Sequence, residues 1–495
     1  MAAGVLVFGS SEQREVTRCG SCAKRVRAFC KQRWARAVRP RLRQLPHAGT
    51  DAASDASRVD SETMAVAKHT NVSEANSGMQ IKTILNRIQK HRGFVYGTVQ
   101  LDARPGGLAL EIDIYPHARN RPQCSGCGRR GPQYDRLAPR RFEFVPLWGL
   151  AVFFLYMMRR VDCATCGVRV EQVPWAEGKH QLTTTYVWFL ARWAKRLSWR
   201  EVARVFHTSW DQVFRAVAMA VAWGRAHADL TGIQAIGLDE IQWQRGHRYL
   251  TLVYQIDTGR KRLLWIGQER RVKTLLGFFR WFGRERTATL RFICSDMWKP
   301  YLKVVAKKAG HALHILDRFH IAMHMGEAID RVRRAEVHDL RRQGRQPWLT
   351  KARWILLKRH EHRTADERTR LEDLVRHNLK AVRSTLLREA FDPFWSYRSV
   401  DWAGAFLDEW CVQVMRSQIE PMKKVARMLR RHRPLLLNWF RARGQISAAS
   451  VEGLNNKAKL TTRKAYGFRS YHCLEIALYH TLGQLPEPNV THRFC

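Results

Sequence analysis

Three acidic residues occupy positions from which side chains can hold divalent cations. Asp239, followed by Glu240, ends one apolar run, and Asp296 ends a second run, Leu290–Ser295. Glu452 stands near the start of a predicted helix far downstream. Carboxylates suit Mg²⁺ and Mn²⁺, and two such ions can activate water and stabilise the leaving oxygen of a phosphoryl displacement. A lone Asp at a strand end is usually a solvated turn residue, but the two strand contexts and the later Glu together favour a catalytic site.

The surrounding pattern predicts a sheet that would position these acids. Tyr249–Asp257 and Arg262–Gln268 are rich in β-branched and aromatic residues, and with the run ending at Asp239 they predict an antiparallel meander. Val272–Phe282 has helical spacing, and the strand ending at Asp296 follows it. Strand–strand–strand–helix–strand, with acids on the first and fourth strands, predicts a ribonuclease H-like domain in a multidomain α/β chain.

Four motifs in this order identify a family. They are Gly-Leu-Asp-Glu (237–240), Ser-Asp-Met-Trp-Lys-Pro-Tyr (295–301), Leu-Asp-Arg-Phe-His (316–320) and Val-Glu-Gly-Leu-Asn-Asn-Lys (451–457). With them the chain resembles, over roughly residues 79 to 480, the DDE transposases of the ISL-three insertion-sequence family. The resemblance implies that Asp239, Asp296 and Glu452 form the catalytic triad and hold two Mg²⁺ or Mn²⁺ ions.

Other residues near the first two acids have predicted roles. The resemblance implies that an Asp-x-x-His unit, Asp317 to His320, supports the site. A core or capping histidine is an equally weighted interpretation of His320. Glu240 is expected to point to the face of the strand opposite Asp239 and to take no part in catalysis.

The predicted helix that carries Glu452 is rich in polar and basic residues. Asn456 lies four residues after Glu452 and shares its face. Lys459 lies two turns along that face, where it could hold the phosphate next to the cut. Lys457 and Arg463 are predicted to contact DNA.

Two Cys-x-x-Cys-Gly units predict a structural zinc site, because four thiolates are a tetrahedral set of Zn²⁺ ligands. The four ligands are Cys124, Cys127, Cys163 and Cys166. A hairpin between the pairs is predicted to carry the second pair. Such a closed site serves folding and DNA positioning, and the resemblance implies a zinc module ahead of the catalytic domain. Arg129 and Arg130 belong to a dense basic group around it, interpreted as phosphate contacts, with a solvated basic face as the alternative.

Helical spacing and two capping boxes predict a helix-turn-helix. The boxes, Ser198–Glu201 and Ser209–Gln212, open the second and third helices. The third would be the recognition helix, although a small bundle without a DNA role is the alternative. Three residues near its start are expected to be exposed and to contact DNA: Trp210, Gln212 and Arg215.

The remaining stretches complete a predicted domain plan. Residues 321–446 are helical and basic, and the resemblance implies an all-α insertion between the second and third acids. Residues 1–78 are predicted to be disordered or to reflect an upstream start codon, and Cys19, Cys22 and Cys30 within them are not expected to bind metal. The plan in chain order is extension 1–78, lead-in segment 79–111, zinc module 112–180, helix-turn-helix 181–230, catalytic domain 231–320, insertion 321–446, catalytic domain 447–485 and tail 486–495.

The charge balance predicts a polyanionic partner. Lys and Arg number 86 against 43 Asp and Glu, a net charge of +43. Nucleic acid is the first candidate, and a membrane surface is the alternative. The longest apolar run, Val145–Met158, is interrupted and too short to span a bilayer, and no signal peptide is recognised. Paired cysteines suit metal binding in a reducing compartment, so we expect a cytoplasmic, nucleoid-associated bacterial protein with no membrane partner.

The resemblance implies a transposase of a bacterial insertion sequence. Such an enzyme binds the terminal inverted repeats of its element as double-stranded DNA, acting as a homodimer or higher oligomer. It hydrolyses one strand at each end and uses the 3′-hydroxyl to attack target DNA. Two alternatives remain: a DNA-binding regulator with a decayed catalytic domain, and a structure-specific nuclease of the same fold. The presence of all three acids argues against decay.

Overall fold

The structure is a computed structural model that describes residues 80–488 apart from 105–106, 347, 447–448 and 466. The predicted extension 1–78, with its three cysteines, and most of the tail therefore lie outside the described residues. Across the part that is described, no helix is both long and apolar enough to cross a membrane.

The first sheet carries the paired cysteines. A short helix, α1 (Ile81–Ile88), precedes five strands whose order is β1-β2-β4-β3, with β5 beside β4. The strands are β1 (Phe94–Arg104), β2 (Gly107–Pro116), β3 (Gln133–Leu147), β4 (Leu150–Cys163) and β5 (Gly167–Val170). The predicted hairpin between the cysteine pairs is β3–β4, joined at Trp148 and Gly149, which both have positive φ. Strand β1 and the start of β2 come from the stretch expected to be a lead-in, and they belong to the same sheet as β4, which ends at Cys163.

Three helices follow, with the predicted capping. They are α2 (Thr184–Ala194), α3 (Trp199–Val205) and α4 (Trp210–Ala226). Both capping boxes are present: Ser198 with Glu201 opens α3, and Ser209 with Gln212 opens α4. Local sequence therefore determined where these helices begin.

The second sheet has the order β10-β9-β6-β7-β8. Strands β6, β7 and β8 form the predicted antiparallel meander, and β9 and β10 run parallel to β6. Helices α5 and α6 connect β8 to β9, and α7 connects β9 to β10. The elements are β6 (Ala235–Gln244), β7 (Arg248–Asp257), β8 (Arg260–Gln268), α5 (Val272–Phe282), α6 (Arg284–Ala288), β9 (Phe292–Ser295), α7 (Lys299–Ala309) and β10 (Leu313–Leu316).

Helices cover both faces of this sheet. On one face Leu238 and Val253 pack against α5 and α7. On the other face Leu252 and Ile256 share a core with α15 (Ala449–Lys464) and α16 (Tyr471–Leu482). The same core includes residues of α2, α3 and α4, so these three helices and the sheet are one packed body.

A helical segment with its own hydrophobic core separates β10 from α15. The described residues of 318–446 contain no strand. The α-helices are α8 (Arg318–Arg342), α9 (Arg353–Leu357), α10 (Ala365–Arg376), α11 (Lys380–Glu389), α12 (Val400–Arg416), α13 (Glu420–Arg431) and α14 (Arg433–Arg441).

Candidate active site and cysteine cluster

Three aspartates lie level with one another on three adjacent parallel strands: Asp296 and Asp317 directly follow β9 and β10, whereas Asp239 lies in the middle of β6, which continues to Gln244 and does not end at Asp239 as expected. Gly237 of β6 pairs with Cys294 of β9, so Asp239 and Asp296 each follow that pair by two residues. Asp317 directly follows β10, and its backbone N–H donates to Ser295 O at 2.9 Å. The sheet thereby brings three acidic side chains together on one side. Asp239, Asp296 and Asp317 are called the aspartate edge below.

Both oxygens of Asp239 are held. Oδ1 accepts from the backbone N–H of Glu240 at 2.7 Å, and Oδ2 accepts from Asn455 Nδ2 of α15 at 2.5 Å. The hydroxyl of Tyr254 donates to Asn455 Oδ1 at 2.7 Å, which fixes the orientation of that amide. Burial raises the pKa of Asp239 to about 6, and the charges of Asp317 and Asp296 act in the same direction.

Asn455 contacts the site although the sequence did not indicate it, and the predicted residue was its neighbour Asn456. Asn456 is exposed, whereas Asn455 is buried. The missed signal is helical periodicity, because the buried positions of α15 are Val451, Leu454, Asn455 and Ala458. A polar residue at a core position of this pattern needs a buried partner, and here the partner is Asp239.

Helix α15 lies directly on β6. A side chain at Gly237 would place Cβ only 2.3 Å from Val451 Cγ2, so this close approach requires glycine. Glu452 is the next residue along the helix and is exposed. Among the described residues, Asp239, Asp296 and Glu452 do not form a group whose ligand atoms all lie within 4.8 Å of one another. The exposed surface of α15 also carries Lys457, Lys459 and Arg463.

Asp296 is bound by a residue that the sequence did not indicate. Its Oδ1 accepts from the backbone N–H of Trp298 at 3.0 Å, and its Oδ2 accepts from Arg270 Nη2. Arg270 Nε also lies 3.1 Å from Oε1 of Glu240, and its guanidinium stacks 4.6 Å from the centre of the Trp298 ring. Trp298 therefore packs on an arginine.

Glu240 is connected to Asp296 through Arg270. As expected, it projects away from Asp239, toward α7 and the hydroxyl of Tyr301. Its side chain is only 7% exposed, however, and it shares Arg270 with Asp296. Burial raises the pKa of Glu240 to about 8, and Asp296 adds to the increase. Arg270 therefore connects Glu240 to Asp296, a contact that the sequence did not indicate, and the absence of a catalytic role for Glu240 stays a prediction.

His320 was expected either to support the site or to be a core or capping residue, and the structure shows what it and Asp317 contact. Asp317 is the N-cap of α8 and accepts from Phe319 N at 2.9 Å. His320 Nδ1 lies 2.9 Å from Asp317 Oδ2. This hydrogen bond raises the pKa of His320 against the effect of burial, and Asp239 and Asp296 add to the increase. His320 is therefore a hydrogen-bond partner of Asp317, and the capping is done by Asp317.

The four predicted zinc ligands meet in one cluster. Cys124, Cys127, Cys163 and Cys166 have all their sulfur atoms within 4.8 Å of one another. Gly128 and Gly167, which follow the two pairs, have φ of 73° and 69°, the left-handed conformation that tight turns need. Backbone N–H groups of Thr165 and Cys166 lower the pKa of Cys163 to about 7, while Cys127 raises that of Cys166 to about 12. Neighbouring thiols do not all lose their protons readily unless a cation is bound between them. Four sulfur ligands are a set that suits Zn²⁺.

The residues predicted to contact DNA are not all free to do so. Arg129 and Arg130 are exposed, and Arg129 Nη1 donates to Thr165 Oγ1 at 3.3 Å between the two cysteine turns. Gln212 is half-buried, and its Oε1 accepts from the backbone N–H of Ser209 in the capping box, so its expected exposure is wrong.

Trp210 and Arg215 are exposed near the start of α4, as predicted. Trp210 stacks on Phe214 with an angle of 4° between the rings. Arg215 pairs with Asp211 at 2.6 Å, and its side chain is 64% exposed. An exposed surface ion pair of this kind contributes little stability, so Arg215 can exchange Asp211 for another anion.

Comparison with known proteins gives a consistent result. A family model described as "Transposase", for DDE transposases of the ISL-three type, matches residues 236–478, a range that includes the aspartate edge and α15. The transposase for insertion sequence element IS1001 of Bordetella parapertussis is 27% identical over 366 residues, which cover 73% of this chain and 89% of the relative. The transposase for insertion sequence element IS1557 of Mycobacterium tuberculosis is 30% identical over 407 residues, covering 77% and 90%.

Proposed function

Since the chain belongs to the ISL-three family of insertion-sequence transposases, we propose that it cleaves DNA at the ends of its own element and joins the freed 3′-hydroxyl to target DNA. The observation that carries this proposal is the alignment of Asp239 on β6 with Asp296, which follows the adjacent parallel strand β9, beneath α15, the helix of Glu452. The fold interpretation that goes with it is a ribonuclease H-like domain, with the helical segment 321–446 as an insertion.

In the proposed reaction the chain supplies the metal ligands, and divalent cations activate the attacking water and stabilise the leaving oxygen. Asp239, Asp296 and Glu452 would supply anionic oxygens, which are the donors that Mg²⁺ and Mn²⁺ prefer. The bound ions would lower the pKa of the attacking water and neutralise charge on the leaving oxygen. Asn455 orients Asp239, and the backbone N–H of Trp298 orients Asp296. No covalent protein–DNA intermediate is required.

The rest of the proposal concerns DNA binding. On α15, the exposed cations Lys457, Lys459 and Arg463 would hold the phosphates beside the cut. The N-terminus of α4, with Trp210 and Arg215, would read bases of the inverted repeat. The cysteine cluster would hold Zn²⁺ and so fix the surface that carries Arg129 and Arg130.

The test uses the full chain, Mg²⁺ and labelled duplexes from the two flanks of the gene. Wild-type protein should bind, cut and join these ends. Asp239→Asn and Glu452→Gln should bind normally but cut slower by several orders of magnitude, because each removes a charge that holds metal. Asp257→Asn is a matched control, because its carboxylate lies at the opposite edge of the sheet, beside Gln234.

Two other outcomes would favour other functions. Binding without cutting by the wild-type protein indicates a DNA-binding regulator. Cutting without joining indicates a structure-specific nuclease. Loss of repeat binding in Asp239→Asn would contradict the separation of binding from catalysis on which the proposal depends.

A further inference from the structure

Arg270 lies between two carboxylates that belong to different parts of the site. Its Nη2 donates to Asp296 Oδ2, and its Nε lies 3.1 Å from Glu240 Oε1. Glu240 and Asp296 are 7% and 11% exposed, whereas Arg270 is 33% exposed. One cation at the rim therefore contacts two buried acidic side chains.

Asp296 has both oxygens engaged in this arrangement. Oδ1 accepts from the backbone N–H of Trp298, and Oδ2 accepts from Arg270. A divalent cation bound to Asp296 would have to approach one of these oxygens. A guanidinium at hydrogen-bond distance from Oδ2 both occupies that direction and repels the incoming charge. Arg270 and a metal ion therefore compete for the same carboxylate.

Glu240 gives Arg270 a second position. The Nε and Oε1 atoms are close but are not aligned as a hydrogen bond, so the pairing with Glu240 is incomplete. The fork of a guanidinium matches both oxygens of one carboxylate, and a rotation of the side chain toward Glu240 would complete that pairing.

The backbone beside Arg270 is fixed, so only the side chain needs to move. Thr251 Oγ1 donates to Glu269 O at 2.8 Å, one residue before Arg270. Thr251 Oγ1 in turn accepts a hydrogen bond of 2.7 Å from the hydroxyl of Tyr301. The Trp298 ring under the guanidinium gives it a flat surface along which to shift.

We propose that Arg270 is a positioning residue that controls access of divalent cations to Asp296, pairing with Asp296 in the absence of metal and withdrawing to Glu240 when metal binds. The proposal rests on the proposed function, in which Asp296 is a metal ligand. It assigns Glu240 the role of acceptor for the displaced arginine.

The test measures Mn²⁺ binding to the zinc-loaded full chain by electron paramagnetic resonance, without DNA and without turnover. Arg270→Gln removes the competitor and should bind Mn²⁺ about tenfold more tightly, whereas Glu240→Gln leaves Arg270 on Asp296 and should bind about tenfold more weakly. In the Arg270→Gln background, Glu240→Gln should have no further effect. Arg271→Gln is a matched control, because Arg271 pairs with Glu269 at the surface and should leave affinity unchanged.

A purely structural role predicts a different pattern. Both single variants would then weaken Mn²⁺ binding, and Glu240→Gln would do so in either background, which would overturn the proposal.

Asp296→Asn separates this failure from a failure of the proposed function. If Asp296→Asn loses Mn²⁺ binding but Arg270→Gln shows no gain, only the role of Arg270 is wrong. If Asp296→Asn binds Mn²⁺ normally, the metal site itself is wrong. Should Arg270→Gln not fold, Arg270→Met replaces it, because its long apolar side chain can still pack on the Trp298 ring but carries no charge, and its affinity should exceed that of the wild type.

Discussion

Asn455 of α15 donates a hydrogen bond of 2.5 Å to Oδ2 of Asp239 on β6, although the two residues are 216 positions apart in the chain. The bond joins the helix that carries Glu452 to the strand that carries the first acid. Because Tyr254 holds the other end of the amide, the hydrogen bond is part of a buried network. This network therefore adds a polar contact to the packing that holds α15 on β6, the two elements that carry Glu452 and Asp239.

Asn455→Ala should therefore reduce cleavage without preventing DNA binding. The substitution leaves the Tyr254 hydroxyl and one oxygen of Asp239 without their partner, which should cost about 1–3 kcal/mol of folding stability. Cleavage should fall by about tenfold to a hundredfold, since misplacement of a ligand by about 1 Å has effects of this size. Rates of end cleavage and binding by gel shift measure the two effects. Asn456→Ala, one residue further on and exposed, is the control and should behave as wild type.

The raised pKa of Asp239 predicts how stability depends on pH in protein without added Mg²⁺. Burial moves this pKa from 3.8 to about 6, so the folded state binds the proton more tightly than the unfolded state. The resulting stabilisation is fully present below pH 3.8 and is lost as the pH rises through about 6. Relative to Asp239→Asn, the wild type should lose up to about 3 kcal/mol between about pH 4 and about pH 7.5. Urea unfolding at several pH values measures this difference, and a constant difference would show that Asp239 titrates normally.

The cysteine cluster predicts that zinc, folding and DNA binding fail together. Cys124→Ser or Cys163→Ser removes one of four sulfurs that lie within 4.8 Å of one another, so zinc content, folded yield and end binding should all fall. Metal analysis, thermal melting and gel shift measure the three effects. Cys473→Ser, at a half-buried position of α16, is the control. Full zinc content with normal end binding in either variant would show that the four cysteines are not a zinc site.

Arg215 and the Arg129–Arg130 pair should affect DNA binding differently. Arg215→Ala should weaken binding to the inverted repeat by about 1–3 kcal/mol and leave binding to random duplex nearly unchanged. Arg129→Ala and Arg130→Ala should weaken binding to both duplexes and lower the salt slope by about one for each phosphate that is no longer neutralised. Gel shifts at several salt concentrations measure these quantities. Equal losses on both duplexes for Arg215→Ala would remove its role in reading bases.

Gln212→Ala is the matched control for Arg215→Ala on the same helix. Its side chain completes the capping box with Ser209, so its loss should cost about 1 kcal/mol of stability. Discrimination between repeat and random duplex should not change. A selective loss of repeat binding would instead mean that the amide leaves the cap to contact DNA.

The amino-acid sequence by itself determined the local structure and the family. The capping boxes at Ser198 and Ser209, the helix Val272–Phe282 and the meander of β6, β7 and β8 all follow from residues close together in the chain. The same is true of the cysteine turns, because Gly after each second Cys is a local requirement. Short-range propensity, periodicity and motif spacing are sufficient for such features.

Only the tertiary structure decided which side chains meet at the aspartate edge. Whether Asn455 or Asn456 faces Asp239 depends on how α15 is rotated on β6, and the packing of Val451 on Gly237 sets that rotation. Arg270 reaches Asp296 and Glu240 from a loop that carries no motif of its own. The rotation of a packed helix and the contacts of a loop side chain depend on the assembled core. Segments that are distant in the chain meet there only after helices pack on both faces of the sheet.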